Sequence, residues 1–163
     1  MKTTPVVIAI LFAIIPGVAS AQTADERSEA AIRAVDYCIS VARSELADAG
    51  PVDGGPLDFV AHRRNYGALQ WQFGANGNGK PEVVVSPGEL CMVMVQPGPD
   101  LDRPLAAWMR TQADFQPRNA EGTAFFAASP GGWVTVGWGE VGPVESGEAA
   151  PVMVVVQAVK GSN

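Results

Sequence analysis

Apolar residues recur every three or four positions in two segments of the chain, and this period predicts two amphipathic helices. The first helix follows the capping-box sequence Thr23-Ala24-Asp25-Glu26 and ends at Gly50-Pro51. Its apolar stripe consists of Ala31, Val35, Cys38, Ala42 and Leu46. The second helix has Pro104 in its first turn. Its stripe consists of Leu101, Leu105, Trp108, Met109 and Phe115.

Six other segments are apolar or alternate with period two, between turns rich in glycine, proline and asparagine, and these patterns predict β-strands. The predicted strands are 66–73, 82–85, 90–95, 123–128, 133–138 and 152–159. Segment 57–64 is interpreted as a short helix and segment 116–122 as a polar loop. The order α-βββ-α-βββ predicts an α+β domain with a largely antiparallel sheet of about six strands. The N-terminal helix and the central helix are expected to pack on this sheet.

The beginning of the chain has the pattern of an export signal. Lys2 precedes an apolar run at 6–15, Pro16-Gly17 interrupts it, and Ala19-Ser20-Ala21 forms an A-x-A cleavage sequence. We therefore expect a signal peptide at 1–21, a mature chain that begins at Gln22, and one globular domain at 22–163. The apolar run is too short for a typical membrane span, so no membrane anchor is expected after cleavage. The predicted location is periplasmic or secreted.

Charge and cysteine content narrow the classes of function. The 163 residues carry 11 basic and 17 acidic side chains, a formal net charge of −6, which disfavours nucleic acid as a partner. Cys38 and Cys91 are the two cysteines, and in an oxidising compartment an isolated pair favours a disulfide. A nucleophilic role for either cysteine is less favoured, because no neighbouring histidine or cation cluster would lower a thiol pKa.

The motifs that resemble catalytic or ligand sites are weak. Segment 74–80 matches GxxxxGK, but Pro81 stands where a P-loop requires serine or threonine, so a hairpin turn is preferred. His62 is the single histidine, which excludes multi-histidine zinc sites; no metal or cofactor is expected. If 57–64 is helical, Asp58 and His62 share one face, and a small hydrolase with His62 as base is the alternative function. His62, Arg63 and Arg64 are also a candidate anion site, although a solvated loop is the favoured interpretation.

The most suggestive segments are 90–95 and 152–156, which are apolar on both alternating faces and are therefore expected to be covered on both. The favoured cover for Leu90, Met92 and Met94 is the second helix. The alternative is an adaptable groove, lined by Met92, Met94 and Met153, for a small apolar ligand or a protein partner. The sequence thus favours an exported, non-enzymatic binding or accessory module of the cell envelope. A purely structural envelope component is a third interpretation.

Overall fold

The computed structural model describes residues 24–63, 68–75, 79–96, 101–142 and 150–161. The predicted signal peptide and Thr23 of the capping box lie outside these residues. The described elements are α1 (Ala24–Leu46), β1 (Val60–Arg63), β2 (Leu69–Phe73), β3 (Val83–Ser86), β4 (Leu90–Val95), α2 (Asp102–Thr111), β5 (Gln116–Pro117), β6 (Ala124–Ser129), β7 (Gly132–Glu140) and β8 (Val152–Lys160). Neither helix in this part of the chain combines the length and apolar character that a membrane span requires.

The mixed α+β class and the antiparallel sheet are confirmed, but the predicted strand count is wrong, because the described sheet has eight strands. Segment 57–64 was expected to be helical, whereas Val60–Arg63 forms β1 and pairs with β2. Asp58, just before this strand, has φ 66°, a left-handed conformation that a right-handed helix cannot accommodate. The second additional strand is Gln116–Pro117, which pairs with β6 in the segment expected to be a loop.

The strand order across the sheet is β1-β2-β3-β4-β8-β7-β6-β5. Each half of the described chain contributes one helix followed by four strands, so the order is α-ββββ-α-ββββ rather than α-βββ-α-βββ. The two halves meet at the centre, where β4 and β8 pair antiparallel over six residue pairs. The last strand of each half therefore lies in the middle of the sheet and the first at its edge.

A disulfide between Cys38 and Cys91 joins the middle of α1 to β4, with Cα atoms 5.5 Å apart, and confirms the predicted bond. Because side chains alternate along a strand, this bond also turns Val93 and Val95 toward α1. The strand register extends the same face across the sheet. The core therefore lies between α1 and one face of the sheet.

The second helix packs on the same side of the sheet as α1. The indole nitrogen of Trp138 donates a hydrogen bond of 2.9 Å to Oδ1 of Asp102, in the first turn of α2. Trp138 pairs with Val154, which is fully buried on the core face. The expectation that α2 covers Leu90, Met92 and Met94 is therefore wrong. Leu105, Ala106 and Met109 of α2 are instead buried in the core between the helices and the sheet.

A buried ion pair connects the first half of α1 with the segment that leads into β3. The guanidinium of Arg27 lies 3.4 Å from the carboxylate of Glu82, and only 1% of Glu82 is exposed. A charge this deeply buried is tolerated when it is paired. Together with the disulfide, this pair fixes the position of α1 along the sheet at two separate points.

The turn between β6 and β7 packs against the C-terminal end of α1. Gly131 has φ 89° and follows Pro130, the combination that a type II turn requires. A Cβ atom at Gly131 would lie 2.6 Å from the carbonyl oxygen of Leu46, so only glycine fits this contact. The hairpin is thereby held close to the end of the helix.

We predict that replacing both cysteines by alanine lowers the free energy of unfolding by about 4 kcal/mol. The reason is that the bond closes a loop with a sequence separation of 53, which restricts the unfolded chain. Urea denaturation of the wild type and of Cys38→Ala/Cys91→Ala, both without reductant, measures the difference. A change below about 1 kcal/mol would contradict the role given to the bond.

Candidate functional site

The face of the sheet opposite the two helices is called the open face here. It consists of the strand positions that alternate with the core positions, as the strand register defines them. From β1 to β5 across the sheet these positions are Val60, His62, Gln70, Gln72, Val84, Ser86, Leu90, Met92, Met94, Met153, Val155, Gln157, Val159, Trp133, Thr135, Gly137, Gly139, Ala124, Phe126, Ala128 and Gln116.

None of the open-face positions is Asp, Glu, Lys or Arg, although the chain contains 28 such residues. In an antiparallel sheet with one face in water, the residues on that face are normally polar and often charged, and they alternate along each strand with the apolar residues of the core face. The charges of the described chain lie on the helices, in the turns and at core-side strand ends. Lys160, for example, reaches Asp48 beyond the end of α1 at 3.5 Å. The absence of charge is therefore confined to one face.

Exposed apolar side chains concentrate on the open face. Seven large hydrophobic residues of the described chain are exposed, and five of them belong to this face: Val60, Leu90, Met92, Trp133 and Val159. Single exposed hydrophobic residues are common on protein surfaces, whereas contiguous apolar patches mark interaction sites. Because β4, β8 and β7 are adjacent strands, four of these five residues belong to one continuous surface.

The centre of the open face has a ridge beside a trough. The methionine ridge consists of Met92 and Met94 on β4 and of Met153 and Val155 on β8, which pair across the strands. The glycine trough lies on β7, where Gly139 pairs with Met153 and Gly137 with Val155. A Cβ atom built at Gly139 would meet no heavy atom within 4 Å, and one built at Gly137 would meet the carbonyl oxygen of Thr123 at 3.8 Å, so the space above the trough is open at Gly139. The trough arises because glycine has no side chain at these two positions.

The two sides of the ridge differ in character. Toward β2, the amide nitrogen Nε2 of Gln70 donates a 2.7 Å hydrogen bond to Oγ of Ser86. Gln70 is only 6% exposed, and this bond satisfies its buried amide nitrogen. Toward β6, Phe126 and Trp133 form a tilted aromatic pair with ring centroids 5.8 Å apart. The ridge is thus bordered by a polar margin on one side and an aromatic one on the other.

The histidine and arginine cluster is divided by strand geometry. His62 pairs with Gln70 and belongs to the open face, at its edge, whereas the neighbouring Arg63 alternates to the core side. Both are exposed, and Arg64 lies outside the described residues. The Asp58–His62 pair cannot share a helix face, since His62 is in β1. Among the described residues, no hydrogen bond or ion pair joins His62 to a hydroxyl or carboxylate group.

The described residues contain no group of three or more His, Cys, Asp or Glu side chains with the proximity that a metal ion needs. The two cysteines form the disulfide and are not available as thiols. Comparison with known proteins finds no matching family model, no matching curated protein and no matching solved structure.

The sequence analysis names Met92, Met94 and Met153 as the lining of a groove, which stays a prediction, and it does not find the glycine trough, the aromatic margin or the absence of charge around them. One signal was present in the sequence. No residue in 133–139 is charged, but the predicted strand ends at 138, before Gly139, and the sequence alone assigns Gly137 no role. Their role depends on which strand lies beside β7, and that pairing is visible only in the fold.

We predict that the same substitution at two consecutive residues has opposite consequences. Val154 is fully buried on the core face, so Val154→Glu should lower the free energy of unfolding by more than about 3 kcal/mol or prevent folding. Met153 lies on the open face, so Met153→Glu should cost about 1 kcal/mol or less. Chemical denaturation at low protein concentration compares them. Equal destabilisation would contradict the assignment of the two faces.

Proposed function

We propose that the chain is an exported, non-enzymatic binding or accessory module of the cell envelope, and that it binds a protein partner on the open face of its sheet. The single observation that supports this proposal most strongly is the absence of charge from the face that carries most of the exposed apolar side chains. Burying these side chains against a partner is favourable, and no buried charge has to be desolvated in the process.

A protein partner suits the open face better than a small ligand does. Small molecules bind in concave sites that surround most of their surface. The open face is instead a broad sheet surface that extends over several strands on both sides of the methionine ridge. Methionine side chains adapt their shape to the surface that contacts them, which favours a surface of this kind as a docking site.

The proposed location rests on two features that agree with each other. The Cys38–Cys91 disulfide is of the kind that persists in oxidising compartments. The sequence pattern of residues 1–21 is that of an export signal, although these residues lie outside the described ones. An envelope or secreted location would also supply extracytoplasmic partners for the open face.

The proposed function assigns no catalytic role to His62. This side chain is exposed on the edge strand β1, and no described nucleophile or carboxylate is bonded to it. Hydrolysis by a histidine base requires a nucleophile within hydrogen-bond reach and a group that orients the imidazole. A binding role requires neither.

We predict that a photo-reactive phenylalanine derivative placed at Met92 forms a covalent protein adduct when cells that export the chain are irradiated. Met92 lies on the methionine ridge and is 38% exposed, so a docked partner should be within reach of the reactive group. The matched control places the same derivative at Ala107, which is exposed on α2 on the opposite side of the sheet. Gel electrophoresis and mass spectrometry of the adduct provide the measurement.

The expected result is an adduct at position 92 and none at position 107. An absence of any protein adduct at position 92, in a variant that is exported and disulfide-bonded, would refute the proposed function. Equal amounts of adduct at both positions would also contradict it, because the partner would then bind the open face no better than the helix side.

A further inference from the structure

We propose that the partner of the open face is a second copy of this chain, and that two copies pack sheet against sheet around a two-fold axis. This inference rests on the proposed function, since it names the partner of the same surface. It follows from three properties of the described residues: the distribution of charge, the area of the face, and the position of the glycine trough beside the methionine ridge.

The distribution of charge removes the main obstacle to self-association. A chain with a formal net charge of −6 repels its own copy when the charges are close to the interface. Here the open face has no Asp, Glu, Lys or Arg, and acidic residues such as Asp36 and Glu45 lie on α1. In a face-to-face pair the two helix layers would be roughly 30 Å apart, given about 10 Å per layer. That distance is several times the Debye length of about 8 Å at physiological ionic strength.

The area of the open face suits a stable pair of copies. Adjacent strands are about 4.8 Å apart and each residue adds about 3.3 Å, so the face presents roughly 700 Å² of projected area. A typical stable protein interface buries about 800 Å² on each partner. Two sheets also pack naturally at about 10 Å, with their strands roughly aligned. A pair centred between β8 and β7 overlaps only the six strands from β3 to β5 across the sheet, whose open-face positions supply roughly 540 Å² of this projected area. Because side chains roughen a sheet surface, the accessible area buried exceeds this flat projection and approaches the size of a typical stable interface.

The relief of the face is self-complementary. In a symmetric pair, each surface patch must fit the same patch of the other copy. In the arrangement we propose, the two-fold axis lies between the two sheets, parallel to the strands and above the line that separates β8 from β7. Rotation about this axis places β8 of one copy over β7 of the other. Met153 of each copy then enters the open space above Gly139 of its partner, and Val155 lies over Gly137. The ridge of each copy thereby fills the trough of the other.

Two substitutions test this arrangement from its two sides. Met153→Glu places a charge on the ridge, and Gly139→Phe fills the trough. Gly139 has no positive φ and no heavy atom near its Cβ position, so phenylalanine should fit the monomer. Ala107→Glu adds the same charge on the helix side and serves as the control. Circular dichroism and thermal melting, with the disulfide intact, verify that each variant is folded.

Analytical ultracentrifugation of the mature chain over a range of about 1 to 200 μM measures the association. The expected result is a dimer for the wild type and for Ala107→Glu, of twice the mass of one chain. Met153→Glu and Gly139→Phe should weaken association by at least about 100-fold, because each leaves a buried charge or a steric overlap on both sides of the axis. A monomeric wild type at 200 μM, or a dimer that survives both substitutions, would overturn the inference.

The photo-crosslinking experiment separates this inference from the proposed function. An adduct at Met92 that contains two copies of the chain supports both. An adduct with a different protein, together with a monomeric wild type in the ultracentrifuge, overturns the second copy as partner and leaves the open face as the binding surface. The absence of any adduct refutes both.

Discussion

The bond between Cys38 and Cys91 joins the only long helix of the described chain to the centre of its sheet. Strand geometry then relates the direction of the Cys91 side chain to the direction of the side chains in the other strands. Once Cys91 points toward α1, alternation decides the direction of every residue in β4. Backbone pairing then transmits this parity to β3 and β8 and outward to both edges. A one-residue shift in register would exchange the two faces. The bond therefore ties one face of the sheet to α1 as the core face and leaves the other as the open face.

The two faces differ in how they treat polar groups. On the core face, Glu82 lies beside Arg27, and the indole nitrogen of Trp138 donates a hydrogen bond to Asp102. The open face has no Asp, Glu, Lys or Arg, and two of its polar side chains, Gln70 and Ser86, hydrogen-bond to each other. Because both helices pack on the core side, the open face gains no cover from either of them. Its apolar surface and its lack of charge are what a docking surface requires.

The sequence predicted much of the fold because local patterns are strong in this chain. The apolar stripe of α1 and the disulfide both follow from residue spacing and cysteine count. The strand at Val60–Arg63 could not be predicted, since all four of its residues are exposed and only pairing with β2 defines it. The side on which α2 packs was not predictable either, because an amphipathic helix fits either face of an apolar sheet. The contact between Trp138 and Asp102 decides it, and these residues are far apart in sequence.

The described sheet has one buried face and one open face that we propose as a docking surface, and the methionines provide a built-in probe of both. Met92, Met94 and Met153 lie on the open face, whereas Met109 is fully buried in the core. Oxidation by dilute peroxide, followed by mass spectrometry, should modify the three open-face methionines rapidly in dilute protein and more slowly as protein concentration rises. Met109 should be protected throughout. Equal oxidation of all four methionines, or rates at the open face that do not depend on protein concentration, would contradict the account.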